Sequence, residues 1–319
     1  MSESTLETLE VGGLRMRVAM QGTGPLVLLC HGFPELWYSW RNQLSALSAA
    51  GYRAVAPDMR GYGGTDAPLD AADYTILHLV GDMVELVRVL GESQAVIVGH
   101  DWGAPVAWNC AMLRPDLFRA VIGMSVPFGP SGRIDVLNAL RQQGIEDFYL
   151  QYFQTPGLAE VELEKDVAES IRRIYYSGSG DAPERTTFGR LGPGKHFLDS
   201  TVDPTTLPPW LTDADIAYYA TEFTRTGFRG GLNWYRNMTR SWQLLAPWRG
   251  VVIHQPSMFI AGARDDVLKF LSSRPQIENF PISLPALRGS HIIEGAGHWI
   301  QRERAATVNE LMIGFLRSL

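Results

Sequence analysis

The stretch AVIVGHDWGAPVAWNCAMLRP, residues 95–115, decides the fold because it leads from an apolar strand through a tight turn into a helix. The run AVIVG predicts a buried strand, and APVAWNCAMLRP predicts a helix that Pro115 ends. The small residues of GHDWGA allow the backbone to bend sharply between them. Asp101 is therefore expected at the apex, beyond the carboxyl end of the strand.

The segments on either side of this turn repeat the alternation of strand and helix. Further strands are predicted at 25–31, 52–57, 120–126, 256–263 and 289–298, and further helices at 36–49, 76–90 and 304–319. Apolar strands that are joined by helices predict a mostly parallel sheet covered on both faces. The fold class is therefore α/β.

Residues 131–240 have a different character from the rest of the chain. Amphipathic helical segments are separated there by loops rich in glycine and proline, and no buried strand is predicted. We predict a helical cap domain over 131–240, beginning at Ser131, and a core domain formed by 1–130 and 241–319.

Composition excludes several classes of partner. The formal net charge is −6 and the basic residues are scattered, so no nucleic-acid partner is predicted. Cys30 and Cys110 lie in apolar surroundings and are expected to be buried thiols, not a disulfide or metal ligands. The sequence has no signal peptide pattern and no apolar run near the ~20 residues of a membrane span, which predicts a cytoplasmic protein.

Asp101 has two interpretations, as a helix cap or as a nucleophile, and its partners distinguish them. FIAGARDDV places Asp265 and Asp266 just after a predicted strand, and EGAGHWI places His298 before the last helix. An acid followed by a histidine is the order of the hydrolase triad. We therefore predict that Asp265 orients His298, with Asp266 as the alternative acid.

The motif HGFP, residues 31–34, ends another predicted strand. On its own it is typical of a simple turn. Its position beside the elbow predicts that the backbone amides of Phe33 and Trp102 form an oxyanion hole.

A carboxylate at the elbow can displace a leaving group at saturated carbon and form an alkyl ester, which His298 would then hydrolyse with water. A halide leaving group requires N–H donors, whereas an epoxide oxygen requires an acid. LQYFQTPG contains Tyr152 and GLNWYRNM contains Tyr235, which could supply phenols. Aromatic residues at helical spacing usually pack a core, so periodicity alone favours packing for both.

The chain resembles the soluble epoxide hydrolases of the α/β-hydrolase superfamily. The resemblance is carried by HGFPELWYSWR, DMRGYGGTDAP, GHDWGA, QYFQTPGLAEVELEKD, GFRGGLNWYRNM and GAGHWIQRE, which together span nearly the whole chain. It implies an α/β-hydrolase fold with a cap, and conversion of an epoxide to a vicinal diol. Mammalian members carry an additional N-terminal phosphatase domain, whereas this chain is expected to start directly at the hydrolase core.

By this resemblance, Asp101 is the nucleophile, Tyr152 and Tyr235 bind the epoxide oxygen, His298 is the base and Asp265 orients it. The expected partners are a small hydrophobic epoxide and water, without a cofactor, metal or membrane, and a homodimer is left open. Aromatic and apolar residues are expected to line the pocket, namely Phe33, Trp102, Pro127, Phe128, Tyr149 and Trp234, the last two as pocket or packing residues.

Two other functions compete with this prediction. A haloalkane or fluoroacetate dehalogenase would share the fold and the aspartate nucleophile. However, HGFP lacks the asparagine that many haloalkane dehalogenases have after HG, and Trp102 replaces the arginine of fluoroacetate enzymes. A hydrophobic-ligand receptor on the same scaffold would need only the pocket, so the predicted triad argues against it.

Overall fold

The computed structural model describes residues 4–129, 132, 134–183, 189–192, 194–270 and 272–319. An eight-stranded sheet crosses the molecule in the order β1-β2-β4-β3-β5-β6-β7-β8. The strands are β1 Thr5–Val11, β2 Leu14–Gln21, β3 Leu26–Cys30, β4 Arg53–Pro57, β5 Ala95–His100, β6 Phe118–Met124, β7 Ser257–Gly262 and β8 Leu287–Ile293.

Strands β3 to β8 pair in parallel, which confirms the predicted fold class. Strands β1 and β2 form an antiparallel hairpin that adds to the β4 edge, and the sequence analysis did not predict it. Most residues of β1 are exposed, so its sequence lacks the apolar run that identifies a buried strand.

Fourteen α-helices are described, several of them only one turn long. They are α1 Arg41–Ala49, α2 Ile76–Val89, α3 Gly103–Leu113, α4 Val136–Gln142, α5 Tyr149–Tyr152, α6 Leu158–Leu163, α7 Val167–Gly178, α8 Asp213–Thr226, α9 Arg229–Arg236, α10 Met238–Leu244, α11 Ser273–Glu278, α12 Phe280–Ser283, α13 Ile300–Glu303 and α14 Ala305–Arg317. None of these described helices is long and apolar enough to cross a membrane.

Helices cover both faces of the sheet and create two apolar clusters. On β5, Val96 and Val98 belong to the cluster that contains residues of α1 and α14, whereas Ile97 belongs to the cluster that contains residues of α2 and α3. This alternation follows from the two-residue period of a strand. The two cysteines are free and buried, as predicted.

The segment predicted as a cap contains helices α4 to α9 and no strand among its described residues, and α10 continues past residue 240. The predicted start at Ser131 lies outside the described residues, and the exact domain limits stay a prediction. Core arginines hold α8 through three ion pairs, Arg17 with Glu222 at 3.0 Å, and Arg41 and Arg302 with Asp215 at 2.8 and 3.1 Å. These contacts fix this helix above the carboxyl edge of the sheet.

Candidate active site

Asp101 lies at the turn between β5 and α3, with a backbone φ of 51°. Non-glycine residues seldom adopt this left-handed conformation, and such backbone is concentrated at functional sites. A Cβ on Gly99 would overlap the backbone of Gly103, so glycine is required where the chain turns back on itself. The turn with Asp101 therefore lies where the sequence predicts it, between β5 and α3.

His298 lies between two carboxylates. Its Nε2 is 3.3 Å from Asp101 Oδ2, and its Nδ1 is 3.1 and 3.2 Å from the two carboxylate oxygens of Asp265. The backbone N–H of Val267 donates to Asp265 Oδ1 at 2.9 Å and holds this carboxylate. Asp266 instead pairs with Lys269 at 2.7 Å. The geometry thus places Asp265, and not Asp266, against the histidine.

The charges around His298 govern its protonation. Burial alone would lower the pKa of His298, but the carboxylates of Asp265 and Asp101 outweigh burial and raise that pKa well above its usual value. Burial likewise opposes the charge of Asp265, yet the attraction of His298 and the hydrogen bonds to the carboxylate lower the pKa of Asp265. The two carboxylates therefore both favour the charged form of His298, and removing either one would lower the pKa of His298.

The backbone amides expected to form an oxyanion hole lie next to the Asp101 carboxylate. The N–H of Phe33 donates to Asp101 Oδ1 at 2.7 Å. A Cβ on Gly32 would collide with the same carboxylate and would lie 2.6 Å from the Trp102 nitrogen. The HGFP turn and the elbow therefore approach each other as closely as their backbones allow.

A buried polar network supports the backbone of His298. His100 Nε2 and Ser125 Oγ both donate to the His298 carbonyl oxygen, at 2.7 and 2.9 Å. His100 Nδ1 lies 2.7 Å from Glu35 Oε2, and Gln301 donates to Glu35 Oε1 at 2.9 Å. Burial raises the pKa of Glu35, but the interactions with His100 outweigh it and lower the pKa to about 2.

The sequence analysis did not identify these supporting residues. Glu35 lies in HGFPELWYSWR, and His100 lies in GHDWGA directly before Asp101. Their position in these motifs could have indicated that they lie near the active site. Ser125 follows β6 with a backbone φ of 65°, and nothing in the sequence marks it.

Two tyrosines of the cap segment face Asp101 across a cavity. Tyr235 on α9 packs edge-on against Phe33 and Trp102, with ring centroids 5.5 and 5.1 Å away. The ring of Tyr149 on α5 lies 6.1 Å from that of Tyr235, and both tyrosines line the cavities that contain Asp101. Burial and the Asp101 charge raise the pKa of both phenols above the usual value, so both stay protonated.

Tyr152 does not reach this cavity, which corrects the prediction for that residue. Its hydroxyl donates to Glu162 Oε2 at 2.9 Å and lies 3.1 Å from His196 Nδ1. The Glu162 carboxylate is itself fixed, because it accepts from the backbone amides of Phe197 and Leu198 at 3.1 and 2.7 Å. This fixed acceptor holds the Tyr152 side chain against α6, and Tyr149 takes the place that Tyr152 was expected to occupy.

The cavity above Asp101 has two arms that share Asp101, Tyr149, Tyr235, Val267 and Phe270. The long arm has a volume of about 330 Å³ and includes the predicted residues Trp102, Pro127 and Phe128. The short arm has a volume of about 60 Å³ and includes Phe33.

Trp234 was expected as a pocket or packing residue, and the structure shows packing. It is buried, it donates through its indole to the Arg60 carbonyl at 3.1 Å, and it is not among the residues that line either arm. Among the residues that the structure describes, no group of three or more His, Cys, Asp and Glu side chains could hold a metal ion.

An aspartate at a strand-to-helix elbow, paired with a histidine and a second aspartate at the carboxyl edge of a mostly parallel sheet, defines an α/β hydrolase. Consistent with this class, residues 25–161 match the family described as alpha/beta hydrolase fold.

Comparison with individual proteins narrows the class. The epoxide hydrolase of Caballeronia sordidicola is 42% identical over 98% of this chain and 93% of its own length, and epoxide hydrolase A of Mycobacterium tuberculosis is 42% identical over 100% and 99%. The solved structure of an epoxide hydrolase from an endophytic Streptomyces has a TM-score of 0.96 at 44% identity, covering 99% of this chain and 96% of that one. This chain belongs to the epoxide hydrolase family of enzymes.

Proposed function

We propose that this enzyme hydrolyses an epoxide to a vicinal diol through a covalent alkyl ester on Asp101. The observation that supports this most directly is the position of the Asp101 carboxylate, with His298 beside it and the phenols of Tyr149 and Tyr235 lining the same cavity. This arrangement supplies a nucleophile, an acid for the leaving oxygen and a base within one site.

In the first step, an Asp101 oxygen attacks one epoxide carbon and the bond from that carbon to the ring oxygen breaks. The released oxygen takes a proton from Tyr149 or Tyr235, so it leaves as a hydroxyl and not as an alkoxide. Because the pKa of both phenols is raised, the protons needed for this step are present at neutral pH. The Phe33 amide, which donates to Asp101 Oδ1, holds the carboxylate in place.

In the second step, His298 takes a proton from water and the resulting hydroxide attacks the ester carbonyl. Ester formation has by then removed the negative charge of Asp101, one of the two carboxylates that raise the pKa of His298. The histidine then releases its proton more readily and can act as a base. The amides of Phe33 and Trp102 stabilise the oxyanion, the bond from the carbonyl carbon to the alkoxy oxygen breaks, and the alkoxy oxygen takes the proton that His298 removed from water, so the diol departs. The proton that His298 released before this step restores the tyrosine phenol, and the proton of the new Asp101 carboxylic acid returns to His298.

A single turnover in ¹⁸O-water tests this route. We expect the label in the Asp101 carboxylate and not in the first diol, because the added oxygen of that diol comes from the protein. Label found directly in the first diol would overturn the covalent mechanism. Bromide release from a bromoalkane without any diol from an epoxide would instead favour a dehalogenase.

The ester intermediate can also be trapped. In His298→Gln the first step should proceed while the second fails, because opening the ring needs no base. Intact-mass spectrometry after exposure to an epoxide should therefore show one adduct, and Asp101→Ala treated in the same way provides the control without an adduct. An unmodified His298→Gln protein would count against the assignment.

A further inference from the structure

The two arms of the cavity differ in size and in access to solvent, and this asymmetry indicates a class of substrate. We infer that the preferred substrate is an epoxide with one extended apolar substituent and, on its other carbon, only hydrogen or a small alkyl group. The inference rests on the proposed function. The oxirane enters first, its small end occupies the short arm, and the long substituent stays in the long arm.

The long arm runs beside α3. Trp102, Pro105, Asn109 and Met112 line it at spacings of three and four residues, which places them along one side of the helix. At a rise of about 1.5 Å per residue, the stripe from Trp102 to Met112 is about 15 Å long. An extended substituent can therefore lie parallel to α3 with its inner end at Asp101.

The long arm opens at the protein surface. Two of its lining side chains, Val136 and Trp248, are 38% and 36% exposed, and Ser272, which also lines it, is exposed as well. Apolar residues at this mouth provide a surface onto which a hydrophobic substrate can first bind. Substrate entering here meets the outer end of the arm before it reaches Asp101.

The short arm is lined by packed side chains, and none of its lining residues is exposed. Phe33, Phe153, Ile174, Phe197 and Trp299 all line it, and each is at most 6% exposed. The ring of Phe153 lies 5.8 Å from that of Phe33 and 5.0 Å from that of Phe197, so the walls support one another. Because a packed interior resists the insertion of even one additional methylene, a bulky group would enter this arm only by displacing these rings.

The reacting atoms lie where the arms meet, since Asp101, Tyr149 and Tyr235 line both of them. An epoxide held there by the two phenols directs the substituents of its two carbons into different arms. A terminal epoxide leaves the short arm to a hydrogen atom, whereas an internal epoxide with two long chains must place one chain in a cavity of about 60 Å³.

Three isomers test this directly: 1,2-epoxydecane, trans-2,3-epoxydecane and trans-5,6-epoxydecane carry the same atoms but divide the chain differently between the two epoxide carbons. We expect kcat/KM of the wild-type enzyme to be high for the first two isomers. For the 5,6 isomer, which has a butyl group on each side, we expect kcat/KM to be lower by roughly tenfold or more. Equal kcat/KM for all three would overturn the inference and leave the proposed function intact. Failure to turn over any of them would overturn the proposed function and the inference with it.

Two isoleucine-to-alanine substitutions on α7 test whether the short arm is the part of the cavity that limits the smaller substituent. Ile174→Ala removes a wall of the short arm and should raise kcat/KM for the 5,6 isomer relative to the 1,2 isomer by roughly tenfold. Ile171→Ala removes the same atoms from a buried position on the same helix, α7, that is not among the lining residues, and should leave the ratio unchanged. An equal ratio in both variants would overturn the placement of the small substituent.

A larger side chain in the long arm tests whether the long substituent lies there. Met112→Trp should lower kcat/KM for 1,2-epoxydecane by a larger factor than for 1,2-epoxypropane, whose methyl group does not extend as far as Met112. A loss of the same size for both epoxides would overturn the placement of the long substituent, and thermal melting of each variant separates this result from misfolding.

Discussion

The two sides of the active site are held in different ways. On the sheet side, Asp101 follows β5, Asp265 follows β7, and backbone amides hold both carboxylates. On the cap side, Tyr149 and Tyr235 are positioned by ring packing, and the one-turn helix α5 offers a second tyrosine three residues further on. The positions of the carboxylates on the sheet side are therefore fixed by backbone geometry. The positions of the tyrosines on the cap side depend instead on the packing and hydrogen bonds of their side chains.

The largest effect is expected on the sheet side. Asp101→Ala removes the proposed nucleophile, so no ester should form, and kcat should fall by on the order of 10⁴-fold or more. Diol formation under single-turnover conditions measures this. If Asp101→Ala kept even a hundredth of the wild-type rate, water would attack the epoxide directly. Asp101 would then not be the nucleophile.

A second comparison separates the neighbouring acids. Asp265→Asn leaves His298 without its carboxylate partner, and hydrolysis of the ester should slow by on the order of 10³-fold to 10⁴-fold. Asp266→Asn removes the pairing with Lys269 and a charge that makes no hydrogen bond to His298, so it should change the rate by at most about tenfold. Pre-steady-state measurement of ester decay distinguishes the two variants, and the reverse order of effects would transfer the role to Asp266.

On the cap side, Tyr149→Phe with Tyr235→Phe should slow ring opening by roughly 10³-fold, and each single change by less, because the remaining phenol can still donate. Tyr152→Phe should keep nearly the full rate, since its hydroxyl bonds to Glu162 and His196 outside the cavity. The rate of ester formation is the quantity to measure. A large loss in Tyr152→Phe with little loss in Tyr149→Phe would restore the assignment predicted from the sequence.

The smallest effect expected is that of the Asp101 charge on the pKa of His298. In Asp101→Asn the negative charge beside His298 is absent, so the pKa of His298 should fall relative to wild type. His298 would then lose its proton at a lower pH than in the wild-type enzyme. An NMR titration of the imidazole Cε1 proton measures both midpoints, and an unchanged midpoint would show that the Asp101 charge does not act on the histidine.

The same difference between backbone geometry and side-chain contacts explains which features could be predicted from the sequence. Asp101, Asp265 and His298 could be located from sequence because each stands at the end of an apolar strand signal or directly before a helix, and parallel strands bring their carboxyl ends to one edge. The N-terminal hairpin was missed because its outer strand is exposed and has no apolar run. The choice between Tyr149 and Tyr152 was missed because it depends on Glu162, which is held by amides 35 and 36 residues away in the chain.

The sequence by itself determined the α/β class, the elbow with its carboxylate, and the order of acid and histidine, because these features are local patterns or follow from strand topology. The tertiary structure decided which cap tyrosine faces Asp101, that His100, Ser125 and Glu35 support His298, and that the cavity has one long and one short arm. Those features arise where side chains distant in sequence compete for the same space and the same hydrogen-bond partners, and no local pattern encodes the outcome of that competition.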